Sequence, residues 1–225
     1  MINSRANAKI KEIKRLYNKK YREETSSYIV EGIKMVREAI IANQPIKAIV
    51  GVPEVLQTIE FCGGEIIEVS KEVFDSITDE VNPQGILAVI GMPKTKPKKA
   101  KGKCLLLDGV SDPGNMGTII RTAAASGYKD IYLINTVSPF NPKAVRASMS
   151  GIYFVNLYNG SADEILGVID VPIISADMSG EDVFAFKKPN EFCLVIGNEA
   201  NGISDEVRGK SKYTIKYQWK KQLKV

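Results

Sequence analysis

The stretch LLLDGVSDPGNMGTIIRTAAASG, residues 105 to 127, decides the fold. Three leucines and Asp108 read as a buried strand that stops abruptly, and a turn rich in Gly and Asp follows. Asp112 with Pro113 then supplies a cap and a preset first turn, so the spacing predicts a helix from Pro113 to about Ala125. Gly114, Asn115 and Gly117 thereby fall at a helix N-terminus, where free backbone N–H groups attract anions. Arg121, four residues after Gly117, projects beside a bare glycine surface. The pattern fits neither the dinucleotide fingerprint nor the P-loop. Two readings stay open on these residues alone. They form a phosphate cradle, or the glycines merely pack helix against strand and Arg121 is a surface charge.

Working outward, the same alternation continues to the end of the chain. Strand DIYLI (130 to 134), a helical turn from Lys143 to Met149, strand YFVNL (153 to 157), helix ADEILGVI (162 to 169), and strands VPIISA (171 to 176) and FCLVIG (192 to 197) follow in order. Apolar strands separated by helices imply a largely parallel sheet covered on both faces, with ligands at the carboxyl ends of its strands. The second constellation, CLVIGNEANGIS (193 to 204), lies at such an end: an apolar strand empties into Gly197, Asn198, Glu199, Asn201 and Gly202. Taken alone it also suits an ordinary Gly/Asn turn before a short helix near Ser204 to Val207.

Upstream, residues 1 to 92 alternate strands and helices as a small α/β domain. It starts with a helix capped by Ser4 that puts Ile10, Ile13, Leu16 and Tyr17 on one side. Residues 93 to 103, PKTKPKKAKGK, have two prolines, six lysines and nothing apolar larger than alanine, which reads as a linker. The expected organisation is an N-terminal domain over 1 to 92, a linker over 93 to 103 and a second α/β domain from residue 104 onward.

Composition narrows the chemistry. With 225 residues, 44% hydrophobic and 25% charged, the chain has the balance of an ordinary globular protein. No apolar run approaches the roughly 20 residues of a membrane helix, and the first residues lack a signal-peptide core, so the expectation is cytoplasmic with no membrane partner. There are no histidines, which excludes His-assisted nucleophiles and His-containing zinc sites. Cys62, Cys104 and Cys193 show no paired ligand spacing and read as reduced thiols, so no metal is expected. The net charge of +5 is all N-terminal: residues 1 to 103 hold 18 Lys+Arg against 13 Asp+Glu. Lys11, Lys20 and Arg22 belong to a basic run that suits phosphate contact or a solvated helix face.

Together these segments resemble the SpoU (TrmH-like) family of RNA ribose 2′-O-methyltransferases. Its first motif is similar to Asn115-x-Gly117-x-x-x-Arg121, and its second to Ile196-Gly197-Asn198-Glu199 with Gly202. NPKAVRASMSG (141 to 151) resembles the segment joining the two motifs. Asn7, Ile10, Lys11, Arg22, VEGIKMV and NPQGILAV resemble the substrate-binding domain that precedes the catalytic one. The resemblance implies a SPOUT-type domain with a trefoil knot, a homodimer, S-adenosylmethionine as cofactor and RNA as partner, ribosomal RNA ahead of transfer RNA. It assigns catalytic roles to Asn115, Arg121 and Glu199, donor binding to Ile196, Gly197, Asn198 and Gly202, and RNA contact to Lys11, Lys20, Arg22 and Arg146.

One part of the family pattern is missing. The third motif, Ile-Pro-Met and then Glu-Ser-Leu-Asn, should follow Tyr213 to Lys216, where the sequence instead reads KYQWKKQLKV (216 to 225). Codons for this tail, read one nucleotide upstream, permit Ile-Pro-Met-Glu-Lys-Thr-Ala-Glu-Ser, so a frameshift after about Lys216 and an incomplete knot are expected. On that expectation the alternative function is a catalytically inactive RNA-binding protein. An unrelated nucleotide-binding α/β protein is the third reading.

Overall fold

The computed structural model describes residues 1 to 61 and 63 to 217. They form two compact units, Met1–Lys94 with Ser138–Tyr153, and Thr95–Val137 with Phe154 onward.

The first unit begins with α1 (Ala8–Arg15), α2 (Lys19–Thr25), β1 (Ser27–Glu31), α3 (Ile33–Ile41) and β2 (Ile46–Gly51). It continues with α4 (Pro53–Leu56), β3 (Glu65–Glu68), α5 (Lys71–Asp75) and β4 (Ile86–Gly91). The sheet order is β1-β4-β2-β3, with β4 antiparallel to both neighbours and β2 parallel to β3. Ile10, Ile13 and Leu16 share a core with Ile29, Val50, Ile67, Phe74 and Leu87, so the apolar stripe of α1 is buried as its spacing requires. The cap of α1 is Asn7, whose side chain accepts from Lys9 N at 2.9 Å. Ser4, the expected cap, instead accepts from Ala6 N in the turn before it.

Arg22 requires a correction. It is only 3% exposed, and its Nη1 donates to the carbonyls of Leu16 (2.9 Å) and Tyr17 (2.8 Å), just past the C-terminus of α1. A guanidinium buried on those carbonyls complements the helix end and is withheld from any phosphate. Arg22→Ala should therefore cost about 2–3 kcal/mol in urea denaturation. The salt dependence of RNA binding by the folded variant should stay that of the parent, and a change there would return Arg22 to the RNA-contact set. Lys11 and Lys20 are exposed, Lys20 in a loose i,i+4 pair with Glu24 at 3.9 Å.

The second unit opens with β5 (Lys103–Asp108), α6 (Pro113–Ala125) and β6 (Asp130–Ile134). Residues 138 to 153 then leave it and complete the first unit with α7 (Pro142–Ala147) and a 3-10 turn at Gly151–Tyr153. There α7 packs on β1, Phe140 lies 4.9 Å from Tyr28 ring to ring, and Tyr153 Oη donates to Met35 O at 3.3 Å. Arg146 on α7 forms an ion pair with Glu80 of the same unit.

The second unit resumes with β7 (Asn156–Asn159), α8 (Ala162–Leu166), β8 (Ile173–Asp182), β9 (Phe192–Ile196), α9 (Asp205–Arg208) and β10 (Tyr213–Lys216). Its six strands run in the order β10-β8-β9-β5-β6-β7, every pairing parallel. Strand β7 starts three residues later than expected at Tyr153, because that residue closes the 3-10 turn. Strand β8 is longer than expected, and its register on β10 jumps between Ser175 and Glu181. Leu106, Tyr132, Ile165, Val195, Ile203 and Val207 are among the residues that fill the core on one side of the sheet.

Segment 93 to 103 is more than a spacer. Tyr132 Oη donates to Lys98 O at 2.8 Å, Ala100 is 5% exposed with its N–H on Val168 O, and Lys99 pairs with Asp170 at 2.7 Å. Cys104 and Cys193 face each other in register on β5 and β9 as buried free thiols. Cys62, the third-motif reading of the tail past Tyr217 and the completeness of the knot lie outside the described residues.

Candidate active site

The strand pairing itself brings the two motifs together. Leu107 of β5 pairs with Ile196 of β9, so the turns leaving both strands emerge side by side at the carboxyl edge of the parallel sheet. Three layers of hydrogen bonds then fasten one turn to the other. Deepest, Asp108, 4% exposed, accepts from Ser204 N at 2.7 Å. Next, Asn198 Nδ2 donates to Gly109 O at 2.8 Å. Outermost, Glu199 takes four donors from the start of α6: Ser111 Oγ (2.9 Å) and Ser111 N (3.2 Å) on Oε2, and Asn115 Nδ2 (2.9 Å) and Asp112 N (3.3 Å) on Oε1.

The second turn is built around two glycines. Asn198 N and O pair with Gly202 O and N, at 2.8 and 3.0 Å, and Asn198 Oδ1 accepts from Ala200 N and Asn201 N, both at 2.9 Å. Gly202 has φ +71°, the left-handed region in which a side chain is strained. A Cβ on Gly197 would fall onto the backbone of Gly202 and 2.6 Å from Ile203 N. The result is a tight turn closed on itself at Gly197, with open space beside Gly202 and an ionised carboxylate at its tip.

Donors on both its oxygens hold Glu199 ionised. The Asn115 carboxamide contributes most, with hydrogen bonds from its own backbone and Ser111 adding to it, and together they lower its pKa from 4.5 to about 2. This carboxylate also fills the anion-attracting start of α6 that the sequence offers to a phosphate. Glu199 accepts from the N–H groups of Ser111 and Asp112 there, and Asp112 caps Asn115 N at 2.8 Å. Gly117 is buried, so it offers no bare surface to a ligand; of the turn glycines, Gly202 faces open space.

Asn115, Glu199 and Arg121 are all exposed. Arg121 lies six residues after Asn115 on α6, about 9 Å along the axis. Asn198 is half-buried with its carboxamide committed to the turn, and Ile196 and Gly197 are half-buried at the strand end. The second unit thus brings together Asn115, Ile196, Gly197, Asn198, Glu199 and Gly202, with Arg121 on the same helix. Lys11, Lys20 and Arg146 belong to the first unit. Sequence reasoning passed over Ser111, Asp108 and Ser204 as cross-ties. Asp108 at the strand end and Ser111 just ahead of the cap were visible, but their partners lie 96 and 88 residues away.

A parallel α/β sheet with two polar turns tied together at its carboxyl edge has the architecture of ligand-binding α/β domains. The chain belongs to the SpoU rRNA Methylase family, whose model matches residues 102–224, and residues 7–88 match the MRM3-like substrate binding domain. It is 31% identical over 212 residues to the 23S rRNA (guanosine(2553)-2′-O)-methyltransferase RlmP of Bacillus subtilis, covering 90% of this chain and 84% of that one. The AdoMet-bound rRNA methyltransferase from Sinorhizobium meliloti superposes with a TM-score of 0.86 at 28% identity, over 100% of this chain and 90% of that one. The SpoU methyltransferase AviRb from Streptomyces viridochromogenes, solved with AdoMet, shares the fold with a TM-score of 0.83 at 21% identity, over 97% and 92%.

Proposed function

We propose that this chain transfers a methyl group from S-adenosylmethionine to a ribose 2′-hydroxyl of RNA, with ribosomal RNA as the substrate. The observation that carries the reading is the Asn115–Glu199 hydrogen bond at 2.9 Å, which joins the two motif turns across β5 and β9. Family membership and the methyltransferases similar to the chain support it.

The residues fit the donor. The open space beside Gly202 at the strand end leaves room for a flat base and ribose, and a neighbouring carboxylate favours a sulfonium cation. Ile196, Gly197 and Gly202 would hold it by their backbone, with Asn198 shaping the turn rather than touching the donor through its side chain. When bound, S-adenosylmethionine supplies an electrophilic methyl whose carbon–sulfur bond breaks to leave a neutral thioether. A ribose hydroxyl is a weak nucleophile, so it must be placed in line and lose its proton as it attacks. Arg121 positions the target phosphate beside the hydroxyl; a guanidinium offers no lone pair to a proton, so the hydroxyl proton passes to water as the methyl–oxygen bond forms. Asn115 orients the reacting groups, held in turn by Glu199.

Lys11 and Lys20 contact the RNA backbone, Arg146 does so once released from Glu80, and the protein acts as a cytoplasmic homodimer. Transfer of tritium from methyl-labelled S-adenosylmethionine into ribosomal RNA, with mass spectrometry of the digest for a ribose-methylated nucleoside, tests the activity. RNA retained on the protein without label transfer would show a binding protein instead. Replacing Lys11 and Lys20 together by alanine should flatten the log–log salt dependence of RNA binding by about 1.5 and weaken binding alike for all sequences. An unchanged slope removes both lysines from the interface.

A further inference from the structure

We infer that Ser111 is a positioning residue for methyl transfer: it fixes the Glu199 carboxylate, and through it the direction in which the Asn115 carboxamide faces. The inference rests on the proposed reaction and deepens its geometry. Ser111 reaches Oε2 twice, by hydroxyl (2.9 Å) and by backbone N–H (3.2 Å), which leaves Oε1 to Asn115 Nδ2 and Asp112 N. A carboxylate only accepts, so the amide must turn its NH2 toward Glu199. Asn115 Oδ1 is thereby held outward as an acceptor at the exposed start of α6. Of the three donors on Oε2, the Ser111 hydroxyl is the shortest, ahead of Ser111 N and of Asn198 Nδ2 at 3.5 Å, and it does most to stop the carboxylate from rotating. Remove the hydroxyl, and Glu199 can swing away from Asn115, whose amide then samples both orientations.

The alternative is that Ser111 only closes the turn between β5 and α6. Both the backbone N–H and the hydroxyl of Ser111 go to Glu199, so a role confined to the course of the backbone would survive loss of the hydroxyl. Two variants of the full chain separate the readings: Ser111→Ala, which deletes the hydroxyl, and Ser111→Thr, which keeps it. Ser111 is exposed, so neither change disturbs the core.

The first readout is solvent exchange of the Asn115 carboxamide protons by NMR, which needs neither donor nor RNA. Exchange should quicken about tenfold in Ser111→Ala and return close to the parent rate in Ser111→Thr. The second is steady-state kinetics: kcat should fall about tenfold in the alanine variant with KM for RNA unchanged within about twofold, and threonine should restore it. Unchanged amide exchange in Ser111→Ala, or faster exchange with kcat unaltered, overturns the inference. A parent chain that transfers no methyl group refutes the proposed reaction instead, and the exchange measurement then decides alone whether Ser111 orients Asn115.

Discussion

Glu199→Gln should lower methyl transfer to RNA about 100-fold while leaving the chain folded. The size follows from the donor count at this one side chain. Both carboxylate oxygens accept, from Ser111 and from Asn115 with Asp112. Glutamine matches the shape but must present an NH2 on one side, so a donor meets donors at either Ser111 or Asn115. Whichever side loses, the outermost layer of hydrogen bonds between the two turns is halved. The same residue sets a pH signature. Its folded pKa, about 2, lies below the ordinary 4.5, so its contribution to stability is complete above pH 4.5 and is lost as pH falls toward 2. The stability gap between parent and Glu199→Gln, measured by urea denaturation, should be widest at neutral pH and close through that window. A glutamine variant retaining more than a third of parental turnover would show that the carboxylate does not organise the site.

Gly197→Ala should abolish detectable binding of S-adenosylmethionine by calorimetry and destabilise the second unit by about 1–3 kcal/mol. The added methyl has no side chain to push aside. It meets the backbone of Gly202 and Ile203 N, so the paired Asn198–Gly202 turn must open. Opening it also pulls Asn198 from Gly109 and shifts Glu199 from the start of α6. Asn201→Ala, at an exposed position of the same turn, is the control and should bind donor as the parent does. Parental affinity in Gly197→Ala would mean that the donor does not use this turn.

Much of this arrangement could be read from the sequence because its rules are local. Asp112-Pro113 fixes where α6 begins, and the apolar runs at 104 to 108 and 192 to 196 can only be strands buried in a parallel sheet. From there the meeting of both motifs at one sheet edge follows. What could not be read needs partners distant in sequence. The basic run near the N-terminus marks Lys11 and Lys20 correctly as exposed, yet nothing in it distinguishes Arg22, whose burial depends on how α2 folds back onto the end of α1. Ser4 and Asn7 are equal as caps by residue type, and the turn at Ser4–Asn7 decides between them. The polar start of α6 was legible, but not that Glu199 sits against it, since that residue arrives from the far end of the chain.

The excursion of residues 138 to 153 makes the first unit discontinuous, and this bears on how the protein is born. During synthesis the N-terminal 94 residues emerge without the helix that covers β1, leaving Tyr28 without the ring of Phe140 and Met35 O without the Tyr153 hydroxyl. Domains generally fold as units while the ribosome advances. Here the first to emerge must wait until β5, α6 and β6 have been translated and Tyr153 has cleared the exit tunnel. A gene cut at residue 94 would encode a first unit missing part of its own body.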